Sequence, residues 1–509
     1  MTTMGRDVVI VGAGFAGTSV FLHLIRAASE RGGGRPPLRS VRVVDPRPVG
    51  WGVAFGDRDP LLLCNSAAEV NSLRSDDPGD FVAYLRQRHA WTGAPQDCVP
   101  RARMAEYCQD RYAEAHALAG ALGIEAGHVP ATVESVDAGA DGRRVVRLST
   151  GRRLPADAVV VCTGVHRPRV PDGFAGFTGH PRYLDSPYPS DRTRRLRPGS
   201  RVLVLGTRQS AVDAALLLGR DGHRVTMTSP SGLLPAVRHS LGAPVRPFPS
   251  IDGIARLDAD DPALEDKVRR RVVEAVRLLS DRPLRHQVST AADPVRRLRE
   301  NTALVEAGAC VWPGVVVAAL EAVIALSEKL SAEGREALMR RFSWFIARYA
   351  TAMTVVNARR LLALFDGGAL RLVGSYPRAV SVDDDGWWVR RPGGEEAERF
   401  DYVVNGTGFQ QPALHRSPDG ASLSLSGGAT AVDRLDADLR VRPYPGAPPE
   451  PVWLAGVGTH VRIPFANHLR NVVRQAHLVA ETIAGAAPEA TPQPGRARRP
   501  AHDPANGGQ

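Results

Sequence analysis

Many apolar residues of this chain occur in short continuous runs. The first of these runs is followed by apolar residues with helical periodicity. Val8–Val11 and Val202–Leu205 have the length and character of parallel strands that are buried on both faces. A helix is predicted after the second run, over Val212–Leu218, and then a further strand over His223–Thr228. The pattern therefore predicts an α/β fold with two βαβ units in succession.

The first apolar run ends in a glycine-rich turn, Gly12-x-Gly14-x-x-Gly17. In this spacing Gly12 makes the tight turn, Gly14 lets the backbone approach a pyrophosphate, and Gly17 lets the next helix pack closely on the strand. The N-terminus of that helix offers free N–H groups and a positive dipole end to phosphates. The next strand ends in Asp45, which can accept hydrogen bonds from ribose hydroxyls. Together these features predict a dinucleotide site.

The second unit departs from this pattern, because its turn reads Gly206-Thr-Arg208-Gln-Ser210. Arg208 stands where the second glycine belongs. A side chain there obstructs a pyrophosphate unless the loop is displaced or the guanidinium itself binds the phosphate. The following strand ends in Thr228-Ser229 rather than in an acid, which favours NADPH over NADH. We predict a nicotinamide-coenzyme site here, and the alternative is a degenerate unit that serves only the fold.

Each βαβ unit leads on to alternating segments that predict a β-meander. The first meander covers Ala131–Val161, and the second covers Leu370–Val404. Each closes in a Thr-Gly turn, whose small residues let the backbone pass beside a bound nucleotide. Two such copies indicate two nested nucleotide-binding domains, each with a parallel sheet and a meander. The repeated spacing is Asp157-x5-Thr163-Gly164-x3-Pro168 in the first copy and Asp401-x5-Thr407-Gly408-x3-Pro412 in the second.

Residues 262–365 have a helical pattern with interleaved charged and apolar positions. Helices are predicted over 263–279, 294–307, 315–332 and 335–349, with Pro313-Gly314 as a break. We interpret this block as an insertion in the second unit and as a candidate cap over a substrate. Four aromatic side chains of the block are expected in its core: Phe342, Trp344, Phe345 and Tyr349.

The composition is that of a globular protein, with 43% hydrophobic and 23% charged residues. The net charge of +11 comes from arginines scattered through the predicted helices, without a basic stripe, so nucleic acid is not expected as a partner. No apolar run has the length of a membrane span and no signal peptide precedes the first strand, so we expect a cytoplasmic protein. The five cysteines lack C-x-x-C and metal-ligand spacing, which indicates free thiols and no metal site.

This arrangement resembles the two-dinucleotide-binding-domain flavoproteins, and the resemblance covers nearly the whole chain. In that superfamily the first turn binds FAD, the middle unit binds NADPH, and a C-terminal strand–glycine–helix segment closes the flavin site. The implied cofactor-binding residues around FAD are Gly12, Gly14, Gly17, Asp45, Asn65, Thr163, Gly164, Thr407, Gly408, Gly456 and Gly458. Those implied for NADPH are Gly206, Arg208 and Ser210.

The resemblance also implies the domain organisation. Residues 1–168 and 413–485 would form the two parts of the FAD-binding domain, and residues 169–412 would form the NAD(P)H-binding domain with the helical insertion at about 262–365. Residues 486–509 are rich in Pro, Ala and Arg, and we expect a disordered tail.

Two motifs narrow the family. Phe174-x-Gly176-x3-His180-x3-Leu184 resembles the fingerprint of the class B flavin monooxygenases, although Leu184 replaces the aromatic residue at its last position. The stretch from Gly50-Trp-Gly-Val-Ala-Phe to Asn65 resembles the bacterial FAD-NAD(P)-binding family that includes amino-acid N-monooxygenases of natural-product pathways.

The resemblance implies an enzyme that takes FAD, NADPH and O₂ and oxidises a small-molecule amine through a C4a-hydroperoxyflavin. The substrate would be a small amine or an amino acid, and oxidation of aspartate to nitrosuccinate is one such reaction. The alternatives are a Baeyer–Villiger or S-oxidising monooxygenase, or a flavin-binding scaffold without NADPH turnover. The oligomeric state stays open, with a homodimer among the alternatives.

Charged residues that follow the motifs are candidates for binding anionic groups. If the substrate amine bears a carboxylate, an arginine is expected to bind it with two parallel hydrogen bonds. Arg74, Arg238 and His239 are the candidates, because each is expected in a loop after a motif. Arg238 or Arg224 would serve the 2′-phosphate of NADPH.

Overall fold

The structure is a computed structural model, and it describes residues 5–31, 37–139, 141–165, 167–240, 242, 248–393 and 396–485. The tail predicted at 486–509 lies outside the described residues. No helix in the described ranges is both long and apolar enough to cross a membrane.

The first parallel sheet is built from the N-terminal region and completed by one strand from the C-terminal region. The N-terminal elements are β1 Arg6–Val11, α1 Phe15–Glu30, β2 Leu38–Val44, α2 Asp80–His89, α3 Ala102–Ala121, β3 Glu125–Val129, β4 Val133–Ala138, β5 Arg144–Leu148, β6 Arg153–Ala156 and β7 Ala158–Val161. The C-terminal elements are β18 His415–Arg416, β19 Ser422–Ser424, β20 Thr430–Ala431, β21 Val452–Leu454 and α13 Leu469–Ala484.

The strand order of this sheet is β21-β7-β1-β2-β3, and all of its pairs are parallel. Its two faces are covered differently. Helices α1 and α13 pack on one face around Phe21, Leu24 and Val479, all of them fully buried. The antiparallel sheet β20-β18-β19-β4-β5-β6 covers the other face. Because β19 pairs with β4, the C-terminal segment folds back onto the first unit.

The second parallel sheet belongs to the middle of the chain. Its region contains β8 Tyr183–Leu184, α4 Asp191–Arg194, β9 Arg201–Leu205, α5 Gln209–Arg220, β10 Arg224–Thr228, β11 Val237–Arg238, α6 Pro249–Asp252, α7 Leu264–Leu279, α8 Pro294–Glu306, α9 Trp312–Ser327, α10 Ala332–Arg341, α11 Ser343–Phe345, β12 Met353–Thr354, α12 Val355–Asp366, β13 Leu370–Val373, β14 Ala379–Val382, β15 Trp387–Arg390, β16 Glu398–Phe400 and β17 Tyr402–Asn405. The strand order is β13-β10-β9-β17-β8, and all pairs are parallel.

The predicted α/β class with two nested units is confirmed, and several local predictions need correction. The segment at 370–376 is not part of the second meander, because β13 pairs with β10 and completes the parallel sheet. The first meander strand is instead β14, which pairs with β15. Pro313-Gly314 does not break a helix. It lies in the first turn of α9, where a proline causes no loss of an intrahelical hydrogen bond, because the backbone N–H groups there have no intrahelical partner.

The helical insertion has its own core, which contains the buried side chains of Phe248, Ile251, Trp312 and Val315. Three of its four predicted core aromatics are partly buried against this core, but Trp344 is 62% exposed. The predicted fourth helix is also divided, since α10 ends at Arg341 and a π-helical turn covers Ile346–Ala350. The chain then leaves the insertion through β12, which pairs with β11.

Candidate functional site

The first glycine turn has the geometry that a dinucleotide requires. Gly12 has φ +102°, and a Cβ on it would stand 2.8 Å from the carbonyl oxygen of Cys162. A Cβ on Gly17 would stand 1.9 Å from the carbonyl oxygen of Gly12, so α1 packs on β1 only through a glycine. A Cβ on Gly14 would meet nothing closer than 3.8 Å, at Gly52. Gly12 and Gly17 thus serve close packing, whereas a Cβ on Gly14 would make only ordinary van der Waals contact, with Gly52.

Asp45 joins the end of β2 to this turn. Its Oδ2 accepts a hydrogen bond from the backbone N–H of Ala13 at 2.9 Å, and its Oδ1 accepts one from the N–H of Arg47 at 2.9 Å. A carboxylate has about four acceptor sites, so capacity for ribose hydroxyls is left. The carboxylate therefore both fixes the turn and can receive a ligand.

Thr163 and Gly456, two more of the predicted FAD neighbours, lie against the first turn or the helix that follows it, whereas Thr407 lines a cavity beside Gly206 of the second turn. Thr163 follows Cys162, whose carbonyl group stands against Gly12, and Gly164 has open space at its Cβ position. Gly456 has φ +77°, and a Cβ on it would stand 2.9 Å from the Cβ of Ala16. The C-terminal loop through Gly458 therefore lies against the first turn of α1.

The second turn repeats the first in its packing. Gly206 has φ +108°, and a Cβ on it would stand 2.8 Å from the carbonyl oxygen of Gly406. Arg208 has φ −94°, an ordinary value for a residue with a side chain. Its guanidinium is exposed and has no hydrogen-bond or ion-pair partner among the described residues. The backbone thus accepts the arginine without strain, and a cation faces solvent beside a cavity of about 710 Å³ lined by Gly206, Ser229 and Trp344.

The two Thr-Gly turns lead into chain segments that pair with each other. Pro168 and Phe409 form an antiparallel bridge. The N–H of Arg169 donates to the carbonyl oxygen of Gly408 at 3.0 Å, and the N–H of Gln410 donates to that of Arg167 at 2.9 Å. Both connections between the two units therefore run side by side.

A central cavity of about 430 Å³ lies where the two units and the insertion meet. Phe55 and Asn65 line it from the first unit, Gln209 and Ser210 from the first turn of α5, and Ile324 from the insertion. Phe55 belongs to the loop that contains Gly52, which packs on Gly14. The cavity is thus adjacent to both dinucleotide turns.

The segment that follows the helices of the insertion, residues 350–352, forms hydrogen bonds with several walls of this cavity. Three consecutive backbone carbonyl oxygens, at residues 350–352, accept hydrogen bonds from three different parts of the chain. The donors are the Arg238 guanidinium at 3.1 Å, the Gln209 amide at 2.8 Å and the Asn65 amide at 3.0 Å. The insertion therefore shapes one wall of the cavity, as the prediction of a cap implies.

Residues 9–166 match the family described as FAD-NAD(P)-binding. The first dinucleotide unit is an FAD-NAD(P)-binding domain. Over 251 residues, or 45% of this chain, the sequence is 30% identical to nitrosuccinic acid synthase from Aspergillus oryzae. That match covers 38% of the length of the fungal protein.

Solved structures show the same fold across almost the whole chain. Ornithine hydroxylase from Pseudomonas aeruginosa is similar with a TM-score of 0.57 and 13% identity, over 94% of this chain and 99% of that one. L-lysine 6-monooxygenase from Pseudomonas syringae is similar with a TM-score of 0.53 and 17% identity, over the same shares. The chain therefore has the same fold as these two enzymes.

FAD fits the FAD-NAD(P)-binding domain on the observations above. Gly14 is the N-cap residue of α1 and has no side chain to obstruct a pyrophosphate, and the N-terminus of α1 provides N–H groups that have no intrahelical partner. Asp45 lies just after β2, where a ribose is received in such folds. The fold thus offers binding groups for the pyrophosphate and for one ribose of the dinucleotide.

The structure separates the predicted anion-binding residues. Arg238 lies in β11 rather than in a loop, is 1% exposed and lines the central cavity. Arg74 lies in a surface depression and forms an ion pair with Asp76 at 2.7 Å. The side chain of His239 is 60% exposed and stands 3.3 Å from Asp97. Only Arg238 of the three reaches the cavity.

Arg224 also lies far from the predicted phosphate position. It begins β10, whereas the glycine turn lies at the carboxyl end of the neighbouring strand, β9. In a parallel sheet ligands bind at the carboxyl ends of the strands, so the opposite edge is remote from them. Arg224 therefore cannot serve a coenzyme bound at Gly206.

The monooxygenase-like fingerprint packs into the second unit and not into the cavity. Phe174 is fully buried beside Tyr183 and Trp387. The ring of His180 stands edge-on to Trp387, with a centroid distance of 5.6 Å. Leu184 is buried in β8. In this chain the fingerprint thus positions the connection between the units.

Sequence reasoning missed Arg101, Asp213 and Tyr188. Arg101 donates to the Asp213 carboxylate at 2.7 Å and to the Tyr188 hydroxyl at 3.2 Å. The Tyr188 hydroxyl donates to the same carboxylate. Burial opposes the charge of Arg101, but Asp213 raises the pKa of the guanidinium above its usual range. No local pattern signals this cluster, because its members come from three separate segments.

The ionisable side chains around the cavity differ in their charge at pH 7. Burial, together with the smaller effects of Arg470 and Arg238, lowers the pKa of His468 to about 4. His468 is therefore neutral at pH 7. Burial also lowers the pKa of Arg238, to about 10, so that its guanidinium stays charged at pH 7. Glu321 lies 3.3 Å from Arg470.

Proposed function

We propose that this protein is a flavin-dependent monooxygenase that uses FAD, NADPH and O₂ to oxidise the nitrogen of a small amine. The observation that carries the proposal is the central cavity of about 430 Å³, because residues next to both dinucleotide turns line it. A nicotinamide and a flavin bound at the two turns can meet there. Bound FAD, once reduced by NADPH, supplies the activated oxygen.

The relatives support nitrogen as the oxidised atom. Nitrosuccinic acid synthase, ornithine hydroxylase and L-lysine 6-monooxygenase are named for products or reactions at an amine. For a first oxidation the balance is amine plus O₂, NADPH and a proton, giving hydroxylamine, water and NADP⁺. As the finer proposal, the amine belongs to an amino acid, and the name of the fungal relative makes aspartate the first substrate to test.

The chain's own residues would bind and align the two cofactors. We assign FAD to Gly12, Gly14, Gly17 and Asp45, with residues 1–168 and 413–485 as its domain. Residues 169–412 would bind NADPH at Gly206, and the exposed guanidinium of Arg208 would contact a phosphate. The cavity walls from the insertion would exclude water, which protects the activated oxygen from loss.

The test uses full-length, FAD-loaded protein. NADPH should reduce the flavin under anaerobic conditions, and amine oxidation should then require O₂ in an amount equal to the NADPH consumed. Hydroxylamine or nitroso product that forms without O₂ would contradict the proposal. Absence of flavin reduction at saturating NADPH would instead favour a flavin-binding scaffold.

A ketone and a thioether in the same substrate panel distinguish the chemistries that share this fold. Lactone formation would identify a Baeyer–Villiger enzyme, and sulfoxide formation an S-oxidising one. Either product in place of N-oxidation would overturn the choice of nitrogen.

A further inference from the structure

Arg238 occupies an unusual position for a guanidinium. It ends the two-residue strand β11, which pairs in parallel with β12 at the exit of the insertion. The residue is 1% exposed, and it contributes to the lining of the central cavity. A long cationic side chain is thus enclosed at the place where the two units meet.

The partners of Arg238 are neutral. Its Nη1 donates to the carbonyl oxygen of Ala350 at 3.1 Å, and its Nη2 donates to that of Asn65 at 3.3 Å. Its Nε is buried and has no partner. Among the described residues no carboxylate lies within ion-pair distance of it. Buried charges are normally paired, so this guanidinium lacks the anion that its surroundings require.

Arg101 lines the same cavity, and its guanidinium has a counter-ion. It has the Asp213 carboxylate at 2.7 Å, and its pKa is raised, although burial alone would lower it. Burial lowers the pKa of Arg238, and the Cys98 thiol opposes this shift. Arg101 thus has a counter-ion, whereas Arg238 has none among the described residues.

The surroundings of Arg238 indicate what kind of anion is missing. A guanidinium forms two parallel hydrogen bonds to a carboxylate. Asn65, whose backbone Arg238 contacts, has a buried Oδ1 without a partner, and this oxygen can accept from an N–H group. The neighbouring His468 is neutral at pH 7, because burial holds its pKa at about 4, so it does not compete for an anion.

We propose that Arg238 binds the carboxylate of an amino-acid-type ligand in the central cavity, and that Asn65 Oδ1 accepts a hydrogen bond from the ligand's nitrogen. The ligand's role as the substrate rests on the proposed function, but its binding does not. A phosphate of NADPH is the competing oxyanion, because the cavity also adjoins the second dinucleotide turn, and the experiment separates the two.

The direct test is a binding titration of the full-length, FAD-loaded protein with succinate, followed by the flavin absorption spectrum and by calorimetry. The neutral diamide succinamide, of similar size, is the control ligand. Wild-type protein should bind succinate and not succinamide. Arg238→Met should weaken succinate binding at least tenfold, and Arg238→Lys, which keeps the charge but not the fork, should lie between the two.

Because the guanidinium is unpaired, Arg238→Met is expected to raise Tm or leave it unchanged. A matched control is Arg269→Met, since the Arg269 side chain is 72% exposed on α7, away from the cavity. This control should keep the wild-type affinity for succinate. If Arg238→Met fails to fold, Arg238→Lys carries the test alone, and an unchanged succinate affinity in it contradicts the two-bond contact.

L-aspartate tests the part assigned to Asn65. It should bind more tightly than succinate to the wild type, and Asn65→Ala should abolish that difference while succinate affinity stays within twofold. Equal affinities of the wild type for the two ligands would contradict the assignment.

The kinetics of flavin reduction by NADPH test whether Arg238 instead binds a phosphate of the coenzyme. Arg238→Met should leave the KM for NADPH in flavin reduction within about twofold of wild type. A raised KM together with unchanged succinate binding would overturn the proposal in favour of a coenzyme phosphate. If NADPH does not reduce the wild-type flavin, the proposed function fails, while the succinate titration still decides the role of Arg238.

Discussion

Arg101 and Asp213 form a buried ion pair of 2.7 Å that joins the FAD-NAD(P)-binding domain to helix α5 of the second unit. The Asp213 side chain is 1% exposed and that of Arg101 is 16% exposed. The Tyr188 hydroxyl donates to the same carboxylate. This cluster fixes the distance between the two dinucleotide turns on one side of the central cavity.

Asp213→Asn should destabilise the protein strongly. Removal of one partner of a buried pair leaves an uncompensated charge and costs about 3–5 kcal/mol. Urea unfolding at pH 7 measures the effect. The double variant Arg101→Met with Asp213→Leu should recover most of the loss, because both charges are then absent. A loss in Asp213→Asn no greater than in the surface control Arg269→Gln would contradict this account.

The three glycines of the first turn should respond differently to alanine. Gly17→Ala should prevent folding, since its Cβ would stand 1.9 Å from a backbone oxygen. Gly14→Ala should fold with nearly wild-type Tm in the absence of cofactor, because the new methyl group would make only van der Waals contact with Gly52, at 3.8 Å. It should nevertheless retain much less FAD after purification, because the methyl group occupies the space of the pyrophosphate.

Flavin absorbance per protein measures the FAD content of the glycine variants. Gly179→Ala is the matched control, because Gly179 is exposed and has open space at its Cβ position. Full FAD loading of Gly14→Ala would show that the pyrophosphate does not approach the backbone at Gly14.

Arg208→Ala should raise the KM for NADPH about tenfold or more in flavin reduction. The reason is the loss of a charge-assisted hydrogen bond to phosphate, worth about 1.5–3 kcal/mol. Arg224→Ala is the control, since Arg224 lies at the opposite end of the parallel sheet. A lower KM in Arg208→Ala would mean that the arginine obstructs the coenzyme.

Because of the buried His23, the protein should be less stable in mild acid than at pH 7. The pKa of His23 is lowered to about 4, chiefly by burial; the hydrogen bond to Ser19 opposes this shift, and the nearby His477 adds to it. Between about pH 6.5 and about pH 4 the unfolded chain therefore binds a proton that the folded chain does not. The free energy of unfolding should fall as the pH falls through this window, by on the order of 3 kcal/mol from this group.

Urea unfolding between pH 7 and pH 4.5 checks this expectation for His23. His23→Gln cannot take up the proton, so its stability should depend less steeply on pH than that of the wild type. His468, whose pKa is also about 4, keeps part of the dependence in this variant. His286→Gln, at an exposed position, should retain the wild-type slope.

The sequence predicted the parallel strands and helices next to the turns closely, since their signals are local. An apolar run bounded by Gly12 specifies a buried strand, and the repeated spacing to Thr163 and Thr407 specifies two nested units. The second meander was misplaced by one strand. Leu370–Val373 reads equally well as either kind of strand, and only its pairing with β10 settles the question.

In the candidate site, too, some residues were predictable from local motifs and others only from the tertiary structure. The glycine turns and Asp45 were predicted because they form continuous motifs with fixed geometry, and their binding of FAD remains a prediction. Arg74, His239 and Arg238 looked equivalent in the sequence, yet the structure brings only Arg238 into the cavity. Burial and the lack of a counter-ion depend on which distant segments surround a residue.

The sequence by itself thus determined the α/β class, the two dinucleotide units and the turns where phosphates are expected, because each depends on residues close in the chain. Tertiary structure alone decided the central cavity, the Arg101–Asp213 pair and the isolation of Arg238. These features join distant segments, and the hydrogen bond from Asn65 to Ala352, for example, spans 287 residues. A spacing of that size leaves no periodic or local signal, since only the packing of whole elements brings the groups together.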